Sequence, residues 1–310
     1  MLTTIKTYMY FAFGLHLQSS MPLPELMIDR QSITEADVQI KVNDLTGLWS
    51  KYGKQNKFNV MQDHSVLFEV PDTAIYHIEK GNKITVSPIE NASFDKIRLF
   101  VLGSCMGIIL MQRKILPLHG SAVKINNQAY LIVGESGAGK STLASALLSK
   151  GYQLLSDDVI AVTLSNTNQA VVTPAYPQQK LWQKSLDAFA MASEDYRPIA
   201  DRESKFAVPV HTQFSSEVLP LGGIFELVKT DTGTLKQEPV VGLNKLHTLY
   251  THTYRQFLVE RLNLTEWHFQ LSAKISENTK IYRLTRNETG FTAYYLADKL
   301  LESIFEGVKK

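Results

Sequence analysis

The stretch Gly134-Glu135-Ser136-Gly137-Ala138-Gly139-Lys140-Ser141 has glycines at its first, fourth and sixth places and ends in Lys-Ser. That is the pattern G-x-x-x-x-G-K-[ST] of loops that hold the phosphates of a nucleoside triphosphate. Gly134, Gly137 and Gly139 let the backbone curl until several N–H groups face inward. The helix that starts next adds the positive end of its dipole to this anion cradle. Lys140 reaches the outer phosphates, and the Ser141 hydroxyl can ligate Mg2+. Glu135, Ser136, Ala138 and Thr142 complete the stretch expected to bind the nucleotide. A glycine turn that merely joins strand to helix needs neither this many glycines nor Lys-Ser at the helix start.

Asp157-Asp158 is the second chemical feature. Tyr152–Ser156 reads as a strand with this pair at its tip. One carboxylate there can hold Mg2+, directly or through water, and the other can take a proton from an attacking hydroxyl. An acidic turn into the next strand, Val159–Val162, is the plainer alternative, but the pair follows the loop's helix by only one strand. His119-Gly120 falls at the end of a predicted hairpin away from its Asn126-Asn127 turn, beside the phosphate loop. A lone histidine is more often structural, and this position weighs equally for a site role. Lys180 is either a contact to a phosphate or a peptide carboxylate, or a surface lysine.

The elements that must position these residues are legible around them. Ala129–Val133 is a short apolar run, read as a buried strand that feeds the loop. Leu143 with Leu147, and Ala144 with Leu148, recur at helical spacing before Gly151 stops the helix. Ser121–Ile125 alternates as the other arm of the hairpin. Upstream, strands are predicted at Tyr8–Leu17, Asp37–Val42, Val66–Val70, Ala74–Glu79 and Lys83–Ser87, with turn residues between them. Asn91–Leu116 reads as one buried helix. Downstream, Pro174–Trp182 reads as a proline-braced loop and Lys184–Met191 as a helix. Ser193–Lys205 reads as a polar loop, either merely solvated or mobile over the site. Leu219–Val228 and Ile281–Leu284 read as strands, Leu243–Arg261 as a helical stripe and Gly290–Phe305 as a closing amphipathic helix.

The chain has 310 residues, 44% of them hydrophobic and 20% charged, with a net charge of +2. That suits a globular protein of one large or two medium domains, divided here as residues 1–90, a β-rich part, and 91–310, an α/β part built on the phosphate loop. No long basic run suggests a nucleic-acid or membrane partner. The single cysteine, Cys105, excludes an internal disulfide and fits a reducing cytoplasm. Leu99–Met111 is well short of the ~18 apolar residues that span a bilayer. Met1–Ser20 lacks the small-residue cleavage box of a signal peptide and is read as an opening strand.

His119-Gly120, the loop GESGAGKST, the helix ending at Gly151 and Leu155-Ser156-Asp157-Asp158 come in the order seen in the HPr kinase/phosphorylase catalytic domain. The chain resembles that superfamily most specifically over about Leu118 to Val162. The opening YFAFGLHLQSSMPLPEL, PAYPQQKLW, LPLGGIFEL and the Leu-Tyr-Thr-His-Thr-Tyr-Arg stretch are similar to the kinases of lasso-peptide biosynthetic clusters. The resemblance implies an α/β P-loop core with a mixed sheet and flanking helices, carrying a smaller β-rich N-terminal region. It also implies a cytoplasmic serine kinase that uses ATP and Mg2+. The acceptor would be a peptide or small protein, in the lasso case the C-terminal serine of a precursor, and a homo-oligomer is conceivable. By the same resemblance Lys140 and Ser141 bind phosphate and metal, Asp157 is the base, Asp158 is a metal or positioning partner, and His119 sits beside the reacting phosphate. The family's E-x-R-G-x-G signature is absent, since PAYPQQKLW has no glutamate. A carboxylate ligand is therefore missing or comes from elsewhere, such as Glu203. A small-molecule hydroxyl kinase on the same core, or a non-catalytic nucleotide-binding module, are the competing readings.

Overall fold

The computed structural model describes residues 6–31, 35–55, 57–200, 202–231, 235–287 and 290–306. The side chain of Glu203 lies outside the described residues. The first part of the chain forms β1 (Tyr8–Ala12), β2 (Leu15–Ser19), β3 (Met27–Ile28), β4 (Val38–Val42), α1 (Thr46–Tyr52), β5 (Asn59–Val60), β6 (Val66–Val70), β7 (Ala74–Glu79) and β8 (Lys83–Pro88). These strands make one sheet in the order β3-β1-β2-β4-β8-β7-β6-β5. The opening strand predicted over Tyr8–Leu17 is a hairpin instead. Phe13 and Gly14 take φ of 57° and 71°, the pair of positive angles that a tight hairpin turn demands.

The long apolar helix is there but not as one regular rod. It runs as α2 (Phe94–Phe100), a π-helical turn over Val101–Cys105 and α3 (Met106–Gln112). The predicted end at Leu116 is wrong, because Leu116 already belongs to the next strand, which tolerates Pro117. Gly103 and Gly107 lie on the face of this helix that meets Tyr254. A Cβ on Gly107 would fall 2.7 Å from Tyr254 Cδ1, and one on Gly103 would fall 3.0 Å from its Oη.

The remainder supplies β9 (Leu116–Ile125), β10 (Gln128–Val133), α4 (Lys140–Ser149), β11 (Gln153–Leu164), β12 (Ala170–Thr173), β13 (Gln178–Trp182), α5 (Gln183–Ala188), β14 (Arg197–Ile199) and β15 (Arg202–Pro209). It continues with β16 (Leu219–Thr230), β17 (Lys236–Val240), α6 (Leu243–Thr251), α7 (Phe257–Arg261), α8 (Thr265–Asn278), β18 (Ile281–Asn287) and α9 (Ala293–Glu306). The central mixed sheet has the order β10-β9-β11-β12-β16-β18-β17, and β10 also pairs in parallel with β16. The strands β10, β9, β11, β12 and β16 therefore close on themselves around apolar side chains such as Leu131, Leu155 and Ile160.

Three expectations change here. Asp157 and Asp158 lie mid-strand in the long β11, not at a strand tip, because β9 pairs with β11 on both sides of them. The predicted loops at Pro174–Trp182 and Ser193–Lys205 hold the strands β13, β14 and β15 of a small antiparallel sheet, with Leu181 opposite Phe206 in register. The helical stripe over Leu243–Arg261 breaks into α6 and α7, where Arg255 takes a φ of 53°.

The α4 and α9 helices pack together through Leu143, Leu147, Leu296 and Leu300. The N-terminal sheet, the π-bulged helix and part of the central sheet share one apolar cluster, which joins Phe13, Tyr76, Met106, Val159 and Tyr176. Among the described residues no helix is long and apolar enough to cross a membrane. Because Gly107 abuts the Tyr254 ring, Gly107→Val should lower unfolding stability by about 1–3 kcal/mol, as overpacking does. Denaturant unfolding at matched pH measures it.

Candidate active site

The β10 strand delivers the phosphate loop between two neighbours, for Val133 pairs with Gly120 of β9 and with Glu226 of β16. Gly137 and Gly139 take φ of 78° and 106°, and Gly139 caps the start of α4. The curl predicted from the glycines is present. Lys140 is folded back over it, with Nζ donating to the carbonyls of Gly134 and Glu135 at 2.9 Å each. Burial pulls the Lys140 ammonium down to about 8, against the opposing influence of Asp157 and Asp158.

Both aspartates line one cavity of about 1080 Å3 together with His119, Lys140, Ser141 and Lys180. Consecutive residues of a regular strand point to opposite faces. Here the register of β11 slips between Leu154 and Ser156, and Asp158 takes a φ of 85°. This departure from regular strand geometry lets adjacent carboxylates share a pocket.

Their surroundings differ sharply. Asp157 is 3% exposed. Its Oδ1 accepts from Ser121 Oγ at 2.5 Å and from Ser141 Oγ at 2.9 Å, and its Oδ2 accepts from the Lys180 N–H at 2.8 Å. Burial raises its pKa, and these hydrogen bonds offset only part of that. Asp158 is also desolvated, which raises its pKa, but the Lys180 ammonium at 2.6 Å from Oδ2 outweighs burial and holds it well below the usual carboxylate range. Lys180 is therefore not a surface lysine. Its side chain is only 9% exposed, and it is paired to the second carboxylate.

His119 sits where the hairpin argument put it, opposite Val159 and next to Gly120, which pairs with Asp158. Its Nδ1–H donates to the Asp158 carbonyl at 3.0 Å. Burial pulls its pKa down to about 4, so the ring is neutral at physiological pH and Nε2 is left as an acceptor.

Sequence reasoning missed several supports. Ser121, next to His119-Gly120, reaches Asp157. The segment His252–Tyr254 is clipped to β9, with the His119 N–H donating to the His252 carbonyl at 2.7 Å and the Tyr254 N–H donating to the Pro117 carbonyl at 2.8 Å. The His252 ring is held by Glu226 at 3.0 Å, and Glu226 is also bound by Arg283 at 2.8 Å. Glu226 was visible as the lone acid in the apolar run Leu219–Val228, but its partners lie far away in the chain.

Residues 112–183 match the family described as the HPr Serine kinase C-terminal domain. This segment is similar to the catalytic domain of that family. Over 72 residues the chain is 40% identical to the HPr kinase/phosphorylase of Mycoplasmopsis pulmonis, which is 23% of each protein. Against the HPr kinase/phosphorylase of Lactobacillus johnsonii it is 27% identical over 161 residues, covering 44% of this chain and 50% of that one. The chain thus spans half or less of the length of these curated relatives. A solved HPr(Ser) kinase/phosphatase from Coxiella burnetii overlaps 63% of this chain and 99% of its own, at 15% identity and a TM-score of 0.34.

Two desolvated histidines, the half-buried His119 and the buried His268, make stability depend on pH. His119 and His268 both fall from an ordinary 6.5 to about 4, with burial the leading cause in each. Between those values the unfolded chain binds protons that the folded one refuses, so stability is full above about pH 6.5 and is lost as pH falls toward 4. Urea unfolding from pH 7.5 to 4.5 should show this fall, and His119→Gln should flatten it.

Proposed function

We propose that the chain is an ATP- and Mg2+-dependent kinase that transfers the γ-phosphoryl group to the serine hydroxyl of a peptide. The C-terminal serine of a lasso-peptide precursor is the acceptor that the sequence resemblance favours. One observation carries the kinase reading. The loop serine Ser141 and the strand carboxylate Asp157 are joined at 2.9 Å, and Asp158 faces the same cavity from the next position. A nucleotide-holding pair and a separate acid in one pocket are what phosphoryl transfer requires. The cavity also exceeds the 300–1,000 Å3 usual for one small ligand, roughly, which leaves space for an acceptor beside the nucleotide.

The roles follow from the contacts. Loop N–H groups from Gly134 to Ser141 receive phosphate oxygens, and Lys140 exchanges its carbonyl partners for them. Ser141 and Asp157 would hold the metal. Among the described residues no group of three His, Cys, Asp or Glu side chains could hold one alone. That fits Mg2+, which takes most of its ligands from phosphate and water. When bound, Mg2+ neutralises charge on the phosphates.

The resemblance made Asp157 the base. The contacts favour exchanging the two roles. Asp157 already accepts three hydrogen bonds and touches the loop serine, whereas Asp158 keeps Oδ1 toward His119 at 3.4 Å. Asp158 orients the acceptor hydroxyl and receives its proton as the new O–P bond forms and the bond to the leaving β-phosphate oxygen breaks. A loose transition state asks for alignment more than for a strong base, so a depressed carboxylate pKa is no obstacle. His119 positions that carboxylate, its Nδ1–H donating to the Asp158 carbonyl.

Transfer from labelled ATP to a synthetic peptide ending in serine tests the reading, with the same peptide amidated and a set of free hydroxyl metabolites as comparisons. Asp158→Asn should lower transfer at least about 100-fold while ATP binding, read by calorimetry, is retained. Lys140→Ala should weaken both. ATP binding without transfer to any acceptor would leave a nucleotide-binding module in place of a kinase.

A further inference from the structure

The main-chain N–H of Lys180 binds Asp157 Oδ2 at 2.8 Å, and its ammonium binds Asp158 Oδ2 at 2.6 Å. One residue thus engages both carboxylates, each through a different group. The ammonium is also enclosed, since the side chain is 9% exposed. On another side, the bulged helix comes close, because a Cβ on Gly103 would lie 3.7 Å from Asp158 Oδ2. That oxygen is capped by a cation and walled by backbone, and the other carboxylate oxygen faces the His119 ring at 3.4 Å.

Phosphoryl-transfer sites use either one divalent ion or two. Two ions need a second carboxylate open to metal. Here the obvious second carboxylate is already neutralised by a fixed positive charge. A divalent ion coordinated to Asp158 would sit within a few ångströms of that ammonium and be repelled by it.

We propose that Lys180 takes the place of a second metal ion, so that the pocket takes a single divalent ion on the Ser141–Asp157 side and Asp158 carries none. This rests on the kinase reading above. Lys180 supplies permanently the charge that a second ion would bring. Its placement on Asp158 also holds that carboxylate in the strained backbone geometry that aims it into the pocket.

The test counts metal directly. Mn2+ is titrated into the full chain saturated with a non-hydrolysable ATP analogue, and bound ion is read by electron paramagnetic resonance. The wild type should bind one Mn2+ per chain, and Lys180→Arg, which keeps the charge, should also bind one. Lys180→Met keeps the main-chain bond to Asp157 but removes the ammonium. It should bind a second Mn2+ at least about tenfold more weakly than the first, a gap of about 1.4 kcal/mol. Circular dichroism confirms that the variant is folded, and Lys180→Gln replaces it if it is not. Two ions on the wild type, or one ion on a folded Lys180→Met or Lys180→Gln, overturn the proposal and leave the kinase reading standing. No nucleotide-dependent Mn2+ binding by the wild type would overturn both.

Discussion

Two neighbouring carboxylates have to be kept in one desolvated pocket, and much of the structure answers that requirement. Burying an ion without partners is costly, and burying two side by side is worse. The chain meets the demand by treating the aspartates differently. Asp157 is satisfied by hydroxyl and amide donors from β9, α4 and β13, and Asp158 by a full positive charge. Their proton affinities move in opposite directions as a result, Asp157 upward and Asp158 downward. A pair separated in this way can divide labour between holding a nucleotide and handling an acceptor.

The strand carrying Lys180 is correspondingly well supported. The Phe13 N–H donates to the Pro174 carbonyl at 3.0 Å, so the tip of the first hairpin rests on the approach to β13. Tyr176 is buried in the same cluster as Phe13 and packs edge-on against it, with ring centroids 6.1 Å apart. Gln179 reaches across to Ser145 of α4 at 3.0 Å. The N-terminal sheet is therefore mechanically continuous with the Lys180 side of the pocket. A positive φ at a non-glycine residue costs about 1–3 kcal/mol and persists only where the surroundings over-determine it. Asp158 and Arg255 are both in that state, Asp158 held by the Lys180 ammonium and Arg255 donating to Ser104 Oγ of the bulged helix at 2.9 Å.

How much of this was legible in the sequence depended on how local the cause was. The phosphate loop, its strand and its helix are encoded within a short stretch, and glycine spacing alone predicts the curl. The Asp157-Asp158 pair was visible, but its position inside β11 was not, because that depends on β9 pairing past it on both sides. Pro174 and Pro177 made Pro174–Trp182 look like a loop, although they brace only the entry to a strand. Lys180 looked like a surface residue for the same reason. It lies opposite Ala207 of β15 and near Leu102 of the bulged helix, and no pattern within its own segment announces either neighbour. The Glu226–His252 contact was equally out of reach, since each residue looks ordinary until the fold joins them.

The π-helical turn at Val101–Cys105 sets the phase of everything after it. Relative to a plain α-helix it accommodates one extra residue, which corresponds to about 100° of rotation about the axis. Excising one residue there would straighten the rod and keep its hydrogen bonds nearly complete. Gly107 would still face the Tyr254 ring, whereas tightening the same residues into a plain α-helix with none removed would turn Gly107 away from that ring and carry apolar side chains out of the interior. The irregularity therefore works as an angular spacer that absorbs one residue and keeps the glycine face of the helix against Tyr254.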